Sequence, residues 1–226
     1  MDLVAERVRI QNRLRWHLHE LDPTLAIPAG GLRRFVVMDA LAERLAGHGG
    51  IVARLARDLL VRCRELTTSI NALQSELGIL VRQLGPSLLA IPGCGVLGAA
   101  VIIGETAGAH RFRSKDAYAR FTGTAPVPVW SGASHGKVRL NRGGNRALNT
   151  ALHMIAVTQS RGIGPGQDYI AKVQASGKSR TEALRLLRRR LSDTTFAALL
   201  VDERDRTTTT TESATPDAVT VLAAAL

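Results

Sequence analysis

The chain has 226 residues and a formal net charge of +11; hydrophobic residues make up 45% of it and aromatics only 4%, so alanine and aliphatic side chains must fill any core. That charge calls for a polyanionic partner, either nucleic acid or an anionic membrane. No apolar run reaches the roughly 20 residues a membrane span needs, "MDLVAERVRIQ" lacks the apolar stretch of a secretory leader, and Cys63 and Cys94 make neither a disulfide framework nor a metal site.

Residues 2–20 read as a basic amphipathic helix with Val4, Val8, Leu14 and Leu18 near one stripe. Asp22-Pro23 ends it, because the residue before a proline is pushed out of the helical region. The loop "IPAGG" leads to a second helix over 32–46. From 51 to 84, Val52, Ala56, Leu59, Cys63, Leu66, Ile70, Leu73, Leu77, Leu80 and Leu84 alternate spacings of four and three. This a/d heptad pattern predicts a coiled coil that pairs protomers. The same period suits packing on the first two helices within one chain, and spacing does not separate the two. Cys63 reads as a small hydrophobe in the seam.

Gly85-Pro86 stops that helix. Residues 88–108, "LLAIPGCGVLGAAVIIGETAG", read as a short helix, a Pro-Gly-X-Gly turn and an Ala/Gly/Ile-rich helix. A helix over 114–121 takes Ser114 as N-cap. "GTAPVPVW" (123–130) is extended because of its two prolines, and "KVRL" (137–140) alternates like one strand of a small hairpin. A helix over 145–157 has an apolar face at Leu148, Ala151, Leu152 and Ile155. Two more helices cover 167–175 and 180–201. From Glu203 the low-complexity "ERDRTTTTTESATPDAVTVLAAAL" predicts disorder. The expected architecture is mainly α: residues 1–84 a helical linker and long coiled coil, 85–202 a helical helix-hairpin-helix-like domain with a small β-hairpin, and 203–226 a disordered tail.

The charge is unevenly spread. Between Asp116 and Asp168 there is no Asp or Glu, yet the stretch holds Arg120, Lys137, Arg139, Arg142, Arg146 and Arg161. Surfaces normally intersperse both signs. Within it lies "VWSGASHGKVRLNRGGNRALN" (129–149), where Ser131 precedes Lys137, Arg139, Arg142 and Arg146. A serine hydroxyl needs a base or a positive field to act as a nucleophile. Guanidinium and ammonium groups stabilise the charge that gathers on a phosphodiester under attack. The segment therefore supplies both halves of a phosphoryl-transfer site, with Gly132 and Gly136 allowing close approach and His135 able to move a proton or touch phosphate. A surface Ser-Gly turn beside a cationic strip fits the same spacing.

"IPGCGVLGAA" resembles the helix-hairpin-helix motif, in which backbone amides around Gly93 and Gly95 would grip the sugar-phosphate backbone without reading sequence. "TEALRLLRRRL", with Arg185, Arg188, Arg189 and Arg190, reads either as a basic helix along nucleic acid or as a solvated face behind Leu184, Leu187 and Leu191. His17, His19, His48, His110 and His153 lack metal-ligand company.

Three segments in order, "LLAIPGCGVLGAAVIIGE", "FRSKDAYARFTGTAPVPVWSG" and "KVRLNRGGNRALNTAL", resemble the C-terminal domain of insertion-sequence transposases of the 110 type, and "LVAERVRIQNRLRWHLHELDP" resembles their helical linker. The resemblance implies that Ser131 is the nucleophile that joins covalently to DNA, with Lys137, Arg139, Arg142 and Arg146 holding phosphates. It also implies an N-terminal RuvC-like domain whose acidic residues bind magnesium and which helps hold a structured guide RNA. Met1 stands where that domain would end. The expectation is therefore a polypeptide truncated at its N-terminus, needing no cofactor of its own, cytoplasmic and nucleoid-associated, that binds DNA but cleaves little alone. The alternative is a non-enzymatic DNA-binding remnant or regulator of transposition.

Overall fold

The computed structural model describes residues 2–136, 138–139, 141 and 143–213, and it is mainly α with one two-stranded hairpin. It divides into two compact units, one up to Glu76 and one from Leu77.

The first unit holds α1 (Asp2–Leu21), a 3₁₀ turn at Gly31–Arg33, α2 (Phe35–Ala46) and the first part of α3 (Gly50–Leu84). Leu14, Leu18, Leu32, Met38, Leu45, Ala56 and Cys63 form its core. The buried face of α1 is not the expected stripe. Val4 and Val8 are 47% and 48% exposed, while Arg7 is 8% exposed. Arg7 Nη1 donates to Thr67 Oγ1 at 3.4 Å, and Gln11 Nε2 donates to the Leu32 carbonyl at 2.9 Å. The helix is oriented by positions 7, 11, 14 and 18, two of them polar residues whose alkyl stems pack while their heads find partners. Arg57 closes α2 by donating to the carbonyls of Leu45 and His48 at 2.9 and 3.0 Å.

Helix α3 forms as its heptads require, and its early seam is satisfied inside the chain: Ala56 and Cys63 lie in the core shared with α1 and α2, and Leu59 packs against it, joined there by Leu60 from outside the seam. Its later seam is not covered. Leu73, Leu77, Leu80 and Leu84 are all exposed.

The second unit adds α4 (Pro86–Leu89), α5 (Val96–Thr106), α6 (Lys115–Phe121), β1 (Val127–Pro128), β2 (Val138–Arg139), α7 (Arg146–Gln159), α8 (Gly166–Ala175) and α9 (Arg180–Ser213). Helix α9 is the spine, packing against α4, α6, α7 and α8. Leu148, Leu152 and Ile155 of α7 meet Leu187, Leu191 and Phe196 of α9 in one core. Tyr118 is fully buried there, its ring 5.2 Å from Phe196 and 5.3 Å from Phe112, with its hydroxyl 3.2 Å from Thr106 Oγ1.

Disorder was expected from Glu203, yet α9 continues to Ser213. Tertiary bonds hold its extension. Asp202 Oδ1 accepts from Ser87 N–H at 3.0 Å, Glu203 accepts from the N–H groups of Ala109 and His110 at 2.5 and 3.1 Å, and Arg206 Nη1 donates to the Leu84 carbonyl. These contacts offset the weak helix propensity of the threonine run.

Partial burial alone would raise the Glu203 carboxyl, but the Ala109 and His110 N–H groups outweigh it and hold its pKa below the ordinary value. A depressed carboxylate stabilises the fold above its unfolded pKa, and that contribution is lost as pH falls through its folded one. Glu203→Gln therefore costs about 1–2 kcal/mol at neutral pH. The difference from the parent narrows as the pH is lowered through the carboxylate range, which urea melts at several pH values will read.

Candidate nucleic-acid interface

The segment joining α6 to α7 leaves and returns at one point. Thr124 and Ala125 N–H groups bond the Ala119 carbonyl at the outgoing end, and Asn145 N–H bonds the Phe121 carbonyl at 2.7 Å at the returning end. Gly123 and Gly144 meet face to face between them. A Cβ on Gly144, whose φ is +89°, would lie 2.6 Å from Gly123 N and 2.8 Å from the Phe121 carbonyl oxygen. Only glycine permits both that left-handed backbone and that approach. The two glycines form a neck from which the hairpin projects.

Within the hairpin, β1 and β2 pair antiparallel, Val127 opposite Arg139 and Pro128 opposite Val138. The prolines keep β1 extended, and Val138–Arg139 supply β2, within the stretch whose alternation predicts a strand. Ser131 lies just beyond β1, exposed, at the entry to a 3₁₀ turn over Gly132–Ser134. Trp130 and His135 bracket that turn, their rings 4.3 Å apart and tilted by 51°. The stack ties the residue before Ser131 to the one that closes the turn, which limits the freedom of the loop.

Arg139 is exposed on β2 and Arg146 is exposed at the start of α7. Among the described residues neither has a carboxylate partner. Lys137 and Arg142 lie outside the described residues. Asn145 caps α7, its Oδ1 accepting from Leu148 N–H at 3.0 Å and its Nδ2 donating to Glu105 Oε2 at 2.6 Å. The carboxylate-free run in the sequence thus meets an acid in space, brought by α5.

The Pro-Gly-X-Gly turn links α4 to α5 as expected. Gly93 has a φ of +83°, and a Cβ there would sit 3.1 Å from Thr158 Cβ of α7, so this glycine seats the turn on α7. Gly95 is exposed at the start of α5, where no side chain caps the helix. Cys94 is buried, and burial pushes its thiol up to about 11, so it stays protonated and unreactive at neutral pH.

The arginines of α9 differ in their surroundings. Arg189 is paired with Asp116 at 2.6 Å and with Asp193. Arg190 lies over the Tyr169 ring at 4.5 Å. Arg188 is half-buried and donates through Nη1 to Asn149 Oδ1 at 3.0 Å, while Asn149 Nδ2 donates to the Thr122 carbonyl at 3.0 Å. Burial, and then the neighbouring Arg185 charge, lower the Arg188 pKa. The sequence marks Arg188 as one of a basic run and His153 as a histidine without ligand company, and it gives no sign of Asn149. The spacing of 149 and 153 put both on one helix face, but nothing in the chain order pointed to α9 as their neighbour.

Residues 86–171 match the model of the transposase IS116/IS110/IS902 family. Through this segment the chain is similar to the transposases of that family. The transposase match thus covers the turn at Gly93, the neck, the Ser131 loop and α7. Across 243 aligned positions the chain is 30% identical to the insertion element IS110 uncharacterized 43.6 kDa protein of Streptomyces coelicolor, covering 84% of this chain and 58% of that relative. It is 30% identical over 144 residues to the IS900 uncharacterized 42 kDa protein of Mycobacterium paratuberculosis, 63% of this chain and 36% of the relative. It is 35% identical over 113 residues to the IS116 uncharacterized 44.8 kDa protein of Streptomyces clavuligerus, 49% of this chain and 28% of the relative. The chain thus spans less than two thirds of the length of each of these relatives.

Among the described residues no three of His, Cys, Asp and Glu come together as a metal site. No described helix is long and apolar enough to cross a membrane.

Proposed function

We propose that this transposase-family chain binds DNA through the hairpin and the start of α7, and that Ser131 joins covalently to a DNA phosphodiester. The observation that carries the reading is an exposed serine, on a loop where the Trp130 and His135 rings pack together, projecting from a glycine neck flanked by exposed arginines that have no acid partner among the described residues. In the step, the Ser131 Oγ–P bond forms as one P–O bond to deoxyribose breaks, and the serine proton ends on the released sugar oxygen. Arg139 and Arg146, with Lys137 and Arg142 proposed from their spacing, stabilise the charge on the non-bridging oxygens. Amides at the start of α5, after Gly95, hold the backbone a second time. On the resemblance alone, a structured guide RNA is a second polyanion for the protein and the nucleoid its location.

The test is to incubate the chain with duplexes carrying a bridging phosphorothiolate, whose thiolate leaves without a proton donor, and to map any adduct by peptide mass. An adduct on Ser131 supports the reading; no adduct, or one elsewhere, sinks the nucleophile.

Strand exchange needs more than one nucleophile, and we propose that the uncovered seam of α3 pairs two protomers. Leu73, Leu77, Leu80 and Leu84 continue the heptad register and are exposed. The double substitution Leu77→Glu and Leu80→Glu is expected to raise the dimer dissociation constant about a hundredfold or more, read by sedimentation, while leaving the helical content intact.

A further inference from the structure

Behind the neck, α7 and α9 enclose an open cavity of about 500 Å³ lined by Gly143, Gly144, Arg146, Asn149, His153 and Arg188. No carboxylate lines it among the described residues, and Glu105 is already engaged with Asn145. Two buried atoms on its wall have no hydrogen-bond partner, Arg188 Nε and His153 Nδ1. We infer that this cavity is a phosphate seat, in which Arg188 and Arg146 hold one phosphodiester of a DNA strand passing behind the hairpin neck.

The fold neutralises Arg189 with two aspartates and lays Arg190 on an aromatic ring, yet among the described residues it gives Arg188, the one that lines the cavity, only an amide. A half-buried guanidinium without a counter-charge is costly unless an anion completes it. The amide is itself fixed: Asn149 Nδ2 is committed to the Thr122 carbonyl, so its Oδ1 faces Arg188 and aims the guanidinium. A planar guanidinium with its geometry set in advance suits the oxygens of a phosphate better than a mobile ammonium would. Arg146, exposed at the start of α7, supplies a second cation on the same wall, while the nearby Thr150 hydroxyl donates to the Arg146 carbonyl at 2.9 Å. The cavity is wider than one phosphate and open to solvent, as it must be for a continuous strand to enter and leave.

This inference rests on the reading that the face binds DNA, and it concerns groups other than the serine. The experiment has two arms. In the first, the Arg188 Nε–H resonance of the unaltered chain is followed as inorganic phosphate replaces chloride at constant ionic strength. A saturable shift supports the seat, and a resonance that does not move overturns it. In the second, DNA affinity is measured against salt for the parent, Arg188→Gln and Arg188→Lys. The glutamine variant is expected to bind about tenfold more weakly and to lose about 1 from the slope of log affinity against log salt, with lysine restoring most of that slope. A glutamine variant with the parental slope overturns the inference. A responsive Arg188 in a chain that binds no DNA upholds the phosphate seat and removes the DNA reading. A silent Arg188 and an unchanged slope in a chain that binds DNA do the reverse. Should Arg188→Gln fail to fold, the phosphate titration of the parent decides alone.

Discussion

A Ser131→Ala chain is expected to bind DNA within about fivefold of the parent while losing its covalent adduct by at least about a thousandfold, the scale on which removal of a nucleophile acts. The two halves of this expectation come from different residues. Ser131 contributes one neutral hydroxyl on an exposed loop, and a neutral hydrogen bond is worth only about 1 kcal/mol net. Affinity rests instead on guanidinium groups that displace counterions from phosphates, a term that salt reveals. Arg139→Gln should therefore weaken binding to all sequences alike and reduce the salt slope by about 1. It should also slow the adduct further, since the same charge stabilises the phosphorane-like transition state. Quantitative filter binding and a denaturing gel separate these outcomes. If Ser131→Ala lost affinity and adduct together, the hydroxyl would be a binding group on a cationic strip, the plainer reading that the spacing of this segment equally allows.

The sequence revealed the elements better than their partners. Ten positions at spacings of four and three made α3 unmistakable, but a period records which face is apolar and not what covers it. The structure divides that face: Ala56 and Cys63 are spent on α1 and α2, and Leu73 to Leu84 are left open. The stripe on α1 was misread for a related reason. Val4 and Val8 outrank Arg7 and Gln11 in hydrophobicity, yet it is Arg7 and Gln11 that continue the register of Leu14 and Leu18, and their heads find Thr67 and Leu32. The end of α9 was hidden because its stability is tertiary. Asp202, Glu203 and Arg206 reach Ser87, Ala109 and Leu84, and no local propensity scale contains those bonds.

At the candidate site, the loop and its charges were legible because they are contiguous. Ser131, Arg139 and Arg146 lie within one short stretch, and two prolines and a Gly-Gly pair punctuate it. What contiguity could not show is the wall behind it. Glu105 and Arg188 come from helices on either side in the sequence, one placing an acid beside Asn145 and the other a half-buried cation beside Asn149. A window free of acids in the chain is therefore not an acid-free surface in space.

The largest structural effect is expected from a single methyl group at the neck. Gly144→Ala places a Cβ where Gly123 N is 2.6 Å and Gly123 Cα 2.8 Å away, at a φ of +89° that alanine resists. None of these neighbours is a flexible side chain, so the strain can be relieved only by moving backbone. The outgoing and returning strands must part, and the Asn145 N–H to Phe121 carbonyl bond of 2.7 Å is the first to lengthen. Strain of this kind costs about 1–3 kcal/mol from the dihedral alone, and the steric overlap adds to it, so a loss of about 3–4 kcal/mol in urea unfolding is expected. Gly95→Ala is the matched control: its φ is −81° and a Cβ there meets nothing within 4 Å, so its stability should stay within about 0.5 kcal/mol of the parent. The functional consequence follows from position. Arg146 begins α7 two residues beyond Gly144, and the loop bearing Ser131 hangs from the same neck. Parting the neck moves the serine and the arginine relative to each other, so Gly144→Ala should lose adduct formation even at temperatures where it remains folded. A Gly144→Ala chain as stable and as reactive as the parent would mean that the neck does not position the serine at all.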